Sequence, residues 1–280
     1  MYWKTSKRTF SCENALVMGI LNVTPDSFSD GGSLASVEAA VKRAGEMSRE
    51  GADIIDVGGE STRPGSVRVS EAEEIARVVP VIEAIVKVVG LPVSIDTSKA
   101  TVAKEAIAAG AEIINDISGL RWEPEIGNVA AETGAGLVLM HSRGEFESMH
   151  SQEPVEDIFS DVEQDLHRAI KSAIGLGIRP EQIALDIGIG FGKTPVQNLE
   201  LIANLDRLVG EFAAFPILIG ASRKSFIGKT FGDVPANERL GGSLACAVLA
   251  VWNGAQIVRV HDVRETIQAI RVVEAVKEEQ

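Results

Sequence analysis

Asp96, Asn115 and Asp186 each stand at or near the end of a short apolar run, in PVSID, EIINDI and QIALDIG. Two carboxylates and one amide offer several acceptors and a single amide donor group. That set suits a flat heterocycle with several N–H groups, which carboxylates bind in pairs. A second set is cationic. Arg63, Arg223, Lys224, Arg259 and His261 follow or end other apolar runs, and Asn22, Ser61 and Thr62 add donors or a metal ligand. This set suits phosphate or pyrophosphate. The implied ligand is a nitrogen heterocycle carrying a phosphate-type group. The ordinary role of one Asn or Asp at such a place is an N-cap or a turn; the recurrence of polar residues at nearly every run's end argues for a site.

Asp186 also opens DIGIGFGKT (186–194), which ends like a nucleotide-binding P-loop. A P-loop needs a glycine, four intervening residues and then Gly-Lys-[Ser/Thr], and the place of that first glycine holds Ile187. The dinucleotide fingerprint fails as well, because Lys193 stands where its third glycine belongs. Two readings stay open at this point. The stretch is either a flexible strand-to-helix turn or a turn that brings backbone close to a ligand beside a carboxylate.

Something must bring these residues together. Eight Val- and Ile-rich runs fall at 15–21, 53–58, 92–96, 112–117, 136–141, 182–188, 216–222 and 256–262. Amphipathic stretches lie between them. Val37, Ala40, Val41, Ala44 and Met47 make one stripe. Ile75, Val78, Val79, Ile82 and Ile85 make another, with a kink expected at Pro80, and Leu166, Ala169, Ile170 and Ala173 make a third. Near-continuous apolar runs mark strands buried on both faces. The pattern predicts a (β/α)₈ TIM barrel in a single domain, 1–280, whose site lies at the C-terminal ends of the strands. The alternative is a doubly wound open sheet. Residues 1–14 precede the first strand as a short extension that caps the barrel's bottom, and the C-terminal VKEEQ is expected to fray.

Composition sets the outer bounds. The chain has 280 residues, 45% hydrophobic and 24% charged, which are ordinary globular values. A net charge of −13 argues against a sequence-independent nucleic-acid binder. Cys12 and Cys246 suggest neither a metal cluster nor a disulfide framework. The first ten residues lack the apolar run of a signal peptide, and no stretch of about 20 apolar residues would span a bilayer. A cytoplasmic protein acting on small molecules, with no nucleic acid and no membrane, is expected.

Seven segments then carry a specific resemblance: NVTPDSFSDGG (22–32), DVGGESTRPG (56–65), SIDTSK (94–99), INDISG (114–119), DIGIGFGK (186–193), GASRKSFIG (220–228) and RVHDV (259–263). In this order, over almost the whole chain, they resemble the dihydropteroate synthases. The resemblance implies a (β/α)₈ barrel that condenses 6-hydroxymethyl-7,8-dihydropterin pyrophosphate with 4-aminobenzoate, using Mg²⁺, and that is a sulfonamide target. It implies that Asp96, Asn115 and Asp186 hold the pterin. Lys224 would reach the pterin's polar edge and the aminobenzoate. Thr62, Arg63, Arg259 and His261 would hold the pyrophosphate, and Asn22 would contact the Mg²⁺ or the pyrophosphate. Phe28, Pro64 and Ser225 would border the aminobenzoate pocket, and Asp26 would stabilise positive charge during the reaction. DIGIGFGK is then a pterin-side loop. Two departures from the family pattern stand out: Ile187 replaces a usual proline, and HSRG at 141–144 lacks the usual methionine after histidine.

Family members often dimerise through late helices. LACAVLAVW (244–252) fits such a homodimer, or equally a buried core helix. Two rivals share the pterin pocket: a methyltransferase-type pterin barrel and a non-catalytic pterin-binding paralogue. GGESTRPG and SRKSFIG count against both, because they supply the anion and aminobenzoate sites.

Overall fold

Alternation along the apolar runs decides which side chains enter the interior, because successive residues of a strand point to opposite faces. A computed structural model describes residues 1–24, 34–63 and 65–279. The chain begins with an antiparallel hairpin, β1 (Tyr2–Lys4) and β2 (Thr9–Ser11). Eight parallel strands then close a barrel: β3 (Leu16–Asn22), β4 (Ile54–Gly58), β5 (Val93–Asp96), β6 (Ile113–Asp116), β7 (Gly136–Met140), β8 (Ile183–Asp186), β9 (Ile217–Ile219) and β10 (Ile257–Val260). Each pairs with the next in sequence, and β10 completes the ring by pairing with β3, Ile257 opposite Leu16. This is the expected (β/α)₈ barrel; β3 runs one residue further, to Asn22, and most other strand ends are trimmed by one to three residues.

Helices clothe the ring: α1 (Leu34–Glu50), α2 (Glu71–Val88), α3 (Ala100–Ala108), α4 (Glu125–Thr133), α5 (Ile158–Gly175), α6 (Pro195–Ala203), α7 (Leu205–Glu211), α8 (Ser225–Lys229), α9 (Leu240–Trp252) and α10 (Val263–Glu278). Ser70 caps α2 by accepting from the Glu73 N–H, and Glu71, Glu73 and Glu74 favour its positive end. Val78, Val81, Ile82 and Ile85 bury its inner face. The helix runs through Pro80 as one element.

The core has two shells, and strand parity divides them. Met18, Ile54, Ile113, Val138, Ala184, Leu218 and Ile257 point into the lower barrel. Their strand neighbours Val17, Ile55, Ile114, Leu137, Leu139, Ile183, Leu185 and Val258 point outward and pack against the helices. Trp3 of β1 is fully buried against the inner shell, and its Nε1–H donates to the Gln182 carbonyl at 2.8 Å. The hairpin thus packs under the apolar end of the barrel. The polar residues follow the inward parity further up the strands, so the top of the same interior becomes the site.

Candidate active site

Two residues above Ile54, Ile113, Ala184 and Ile257 on the same faces stand Asp56, Asn115, Asp186 and Arg259. Asp96 pairs in register with Asn115 on one side and Gly58 on the other. Parity explains why Asn115 and Asp116, adjacent acceptors, do different things. Asn115 faces the interior. Asp116 faces a turn, where its carboxylate accepts from Ser118 N at 2.8 Å and Leu120 N at 2.7 Å.

The acids in this mouth are bridged by one guanidinium. Arg259 donates from Nε to Asp56 Oδ2 at 2.6 Å and from Nη2 to Asp96 Oδ2 at 2.5 Å. Asn115 Nδ2 donates to the same Asp56 oxygen at 3.2 Å. Asp186 reaches the group from β8: a Cβ at Gly220 would sit 3.8 Å from both Asp186 Oδ2 and Arg259 Cβ. Burial pushes Asp96 up to about 7; Arg259 opposes the shift, and Asp56 and Glu74 reinforce it with further negative charge. Burial also raises Asp186, against the pull of Lys224. For Arg259 burial works against the charge, but Asp56 and Asp96 outweigh it and hold the guanidinium firmly protonated. Asn115 Oδ1 and Asp56 Oδ1 are buried and find no donor among the described residues. A ligand's N–H groups would satisfy such acceptors.

Lys224 enters from the start of α8. Its ammonium donates to the Ile189 carbonyl and lies 4.2 Å from the centre of the Phe191 ring. Burial lowers it to about 8, although Asp186 and Asp96 pull the other way. Lys224 therefore ties the DIGIGFGK turn to the mouth. The turn itself is built on left-handed glycines. Gly188 has φ 67°, and a Cβ there would collide with the His141 carbonyl oxygen. Lys193 is folded inward, where it donates to Gly188 O at 2.7 Å and Phe191 O at 3.2 Å and meets His141 Nδ1 at 2.7 Å. Burial lowers Lys193 to about 7, and burial with the Lys193 charge lowers His141 to about 4. The opposite His141 nitrogen lies 3.2 Å from Asp161. This is no phosphate cradle. The lysine that would reach a phosphate in a P-loop is spent on the loop's own carbonyls. Thr194 caps α6 with Gln197 in a reciprocal box.

The cationic set is less united than its sequence positions suggest. Arg223 does not join it: its guanidinium is gripped by Asp262, Nε to Oδ2 at 3.0 Å and Nη2 to Oδ1 at 2.5 Å. Its backbone is left-handed, φ 59°, and its N–H goes to Ser243 Oγ. Arg259, read from sequence as an anion contact, is engaged by the acids because a buried carboxylate needs a countercharge. His261 is lowered to about 3, by burial first and then by Arg259 and Arg223, so it is neutral. Its Nδ1 meets Ser222 Oγ at 3.0 Å. Thr62 and Arg63 follow β4, Arg63 exposed and Thr62 partly so, and the Thr62 carbonyl meets His150 Nε2 at 2.7 Å. Ser225 is exposed at the first position of α8. Asn22 ends β3, and a Cβ at Gly58 would lie 3.6 Å from both Asn22 Oδ1 and Asp96 Cβ. Asp26, Phe28 and Pro64 lie outside the described residues.

The sequence reading missed four features. Asp56 was legible through parity with Ile54. Phe191 gave no signal beyond its place among glycines. Lys193 is paired with His141, 52 residues away in sequence. The fourth is a buried triad: Lys99 donates to Glu60 at 2.8 Å and to Glu74 at 2.6 Å, while Glu60 also accepts from Val69 N at 2.7 Å. Glu60 heads the loop that carries Thr62 and Arg63, so the triad anchors that loop's base to α2 and to the residue before α3.

Known proteins are similar in sequence and in shape. The family described as pterin binding enzyme matches residues 18–261. A dihydropteroate synthase of Escherichia coli is 51% identical over 261 residues, covering 92% of this chain and 90% of that protein. One of Bacillus subtilis is 47% identical over 263 residues, covering 94% and 89%. The crystal structure of the Yersinia pestis dihydropteroate synthase with a sulfonamide drug superimposes with a TM-score of 0.92 at 44% identity, covering 99% of this chain and 100% of that one.

Proposed function

The chain belongs to the pterin-binding enzyme family, and we propose how its residues carry out the reaction of the dihydropteroate synthases among which it falls. That reaction joins 6-hydroxymethyl-7,8-dihydropterin pyrophosphate to 4-aminobenzoate and gives 7,8-dihydropteroate and pyrophosphate. The observation that carries the proposal is the convergence of Asp96, Asn115 and Asp186 from three strands on one mouth, with Lys224 and Arg259 among them.

Asp96, Asn115 and Asp186 accept from the pterin's N–H groups. Lys224, cationic for much of the time near neutrality, meets the pterin's polar edge and the aminobenzoate. Thr62, Arg63, Arg259 and His261 face the pyrophosphate, His261 as a neutral hydrogen-bonding group. Ser225 borders the aminobenzoate, together with Phe28 and Pro64, and Asp26 offsets positive charge; the last three roles rest on the family resemblance alone. Asn22 offers a hard amide oxygen at the strand end. That donor fits Mg²⁺, which commonly takes one or two protein oxygens and completes its shell with phosphate oxygens and water. Asn22 would hold the ion, which would neutralise charge on the departing pyrophosphate.

The chemistry asks for little proton transfer. The pyrophosphate leaves with the electron pair of the methylene C–O bond, and the electron-rich dihydropterin bears the positive charge that develops. The amine's lone pair forms the C–N bond, and its surplus proton passes to solvent. The chain supplies an anion clamp and acceptors that fix the ring.

We also propose a homodimer. Leu249 and Trp252 on α9 are 47% and 42% exposed, and Val272 and Val276 on α10 are 64% and 49% exposed. The Lys277 ammonium joins the two helices through the Val251 carbonyl at 3.1 Å. Among the described residues no helix is long and apolar enough to cross a membrane. Fractionation of a producing cell should return the activity with the cytoplasm. The direct test of function is pyrophosphate release from the purified protein given both substrates. Release that needs both supports the reading, and pterin binding without release would replace it with a non-catalytic one.

A further inference from the structure

By register Asp56 lies one step below Asp96 and Asn115 across β4, β5 and β6. In register it pairs with Ser94, where Gly58 pairs with Asp96. It is fully buried. A carboxylate at that depth is retained only where its partners repay its dehydration, and both partners here belong to the mouth above it: Arg259 through Nε at 2.6 Å and Asn115 through Nδ2 at 3.2 Å.

Those two bonds decide orientation. Arg259 spends its Nε and Nη2 edge on Asp56 and Asp96, so the Nη1 end is the part left for an incoming anion. A guanidinium held on one edge by two carboxylates cannot rotate without breaking both. Asn115 could present either end of its amide to the pocket. Donating Nδ2 to Asp56 turns Oδ1 toward the ligand side, where it is buried and has no donor among the described residues.

We propose that Asp56 is a positioning residue for the condensation, which fixes Arg259 with its Nη1 end toward the pyrophosphate and Asn115 with its carbonyl oxygen toward a pterin N–H. It works through those two side chains and not by touching substrate. The inference rests on the assignment of Asn115 and its neighbours to the pterin.

The test is a double-variant cycle read by steady-state kinetics and by calorimetric binding of dihydropterin pyrophosphate. Asp56→Asn keeps the shape and removes the charge. It should raise KM for the pterin substrate by about thirtyfold or more, the scale of losing one partner of a buried charge pair, and leave KM for 4-aminobenzoate within about twofold. In an Arg259→Met background the same change should cost at most about a third of that factor, because the main group it positions is gone. An equal loss in both backgrounds would mean that Asp56 only supports the barrel. Unchanged pterin KM in Asp56→Asn would overturn the proposal outright. If Asp56→Asn does not fold, Arg259→Lys carries the test: it keeps the charge but cannot span both carboxylates, and unchanged pterin KM there overturns the proposal equally. Asp186→Ala separates this inference from the pterin assignment. Should Asp186→Ala lose pterin affinity while Asp56→Asn keeps it, only the positioning role fails.

Discussion

Five side chains in the barrel mouth do not balance. Asp56, Asp96 and Asp186 face Arg259 and Lys224, and burial first, then the negative charge of Asp56 and Glu74, raises the proton affinity of Asp96 against the pull of Arg259. Asp96 therefore titrates near 7, under the influence of Arg259, Asp56, Glu74 and Lys224. Its folded value lies above its unfolded one. The stability it contributes is full below the ordinary carboxylate range and is lost as pH rises through about 7. Binding has the opposite sign. An ionised acceptor serves a pterin N–H better, so pterin affinity should fall as pH drops through about 7, and Asp96→Asn should flatten that dependence in a calorimetric pH series. Asp186→Ala should remove pterin affinity by roughly 1.5–3 kcal/mol for each charged hydrogen bond lost, with the fold intact by circular dichroism. Unchanged affinity in the folded variant would end the assignment.

At the scale of elements, two loops flank the strand ends of the candidate site, and each has its own internal anchor. The turn after β8 is held by Lys193, which gathers the carbonyls of Gly188 and Phe191 and the ring of His141. Ile187 is fully buried, so packing restrains the turn at this position. The loop after β4 is held by Lys99 between Glu60 and Glu74. Lys99→Met would leave two buried carboxylates without their cation. It should cost about 3–5 kcal/mol in denaturant unfolding, and the loop bearing Thr62 and Arg63 should become sensitive to protease. A loss under about 1 kcal/mol, the scale of an exposed pair, would show that the triad is not the anchor.

For the whole molecule, the barrel is closed differently at its two ends. The bottom is plugged by the hairpin, with Trp3 against Met18, Ile54 and Ile257. Trp3→Ala should cost about 3–5 kcal/mol through the cavity it leaves, measured by urea unfolding, while a purified, folded fraction keeps its KM values because the site is at the other end. The apolar face of α9 and α10 makes the second prediction. Trp252→Glu should shift sedimentation from dimer to monomer; a wild-type protein that sediments as a monomer would remove the dimer altogether.

Strand parity and strand ends were legible in the sequence. Eight apolar runs pointed to the barrel over an open doubly wound sheet, because strands buried on both faces read as near-continuous apolar stretches, and runs ending in Asp96, Asn115 and Asp186 put acceptors at the rim where such barrels work. The seven motifs in order pointed to the family. Charge partnership was not legible. Arg259 was expected at the anion, and that it also bridges Asp56 and Asp96, more than 160 residues distant in sequence, could not be read. Arg223 was read beside it, but it is taken by Asp262. His261 was counted with the cations, but burial makes it neutral. A residue's type fixes what charge it can bear and its parity fixes which face it joins. Which partner it meets, and how much water it loses, depends on strands brought side by side only when the ring closes, and at short range in a dry interior those two quantities govern ionisation and orientation.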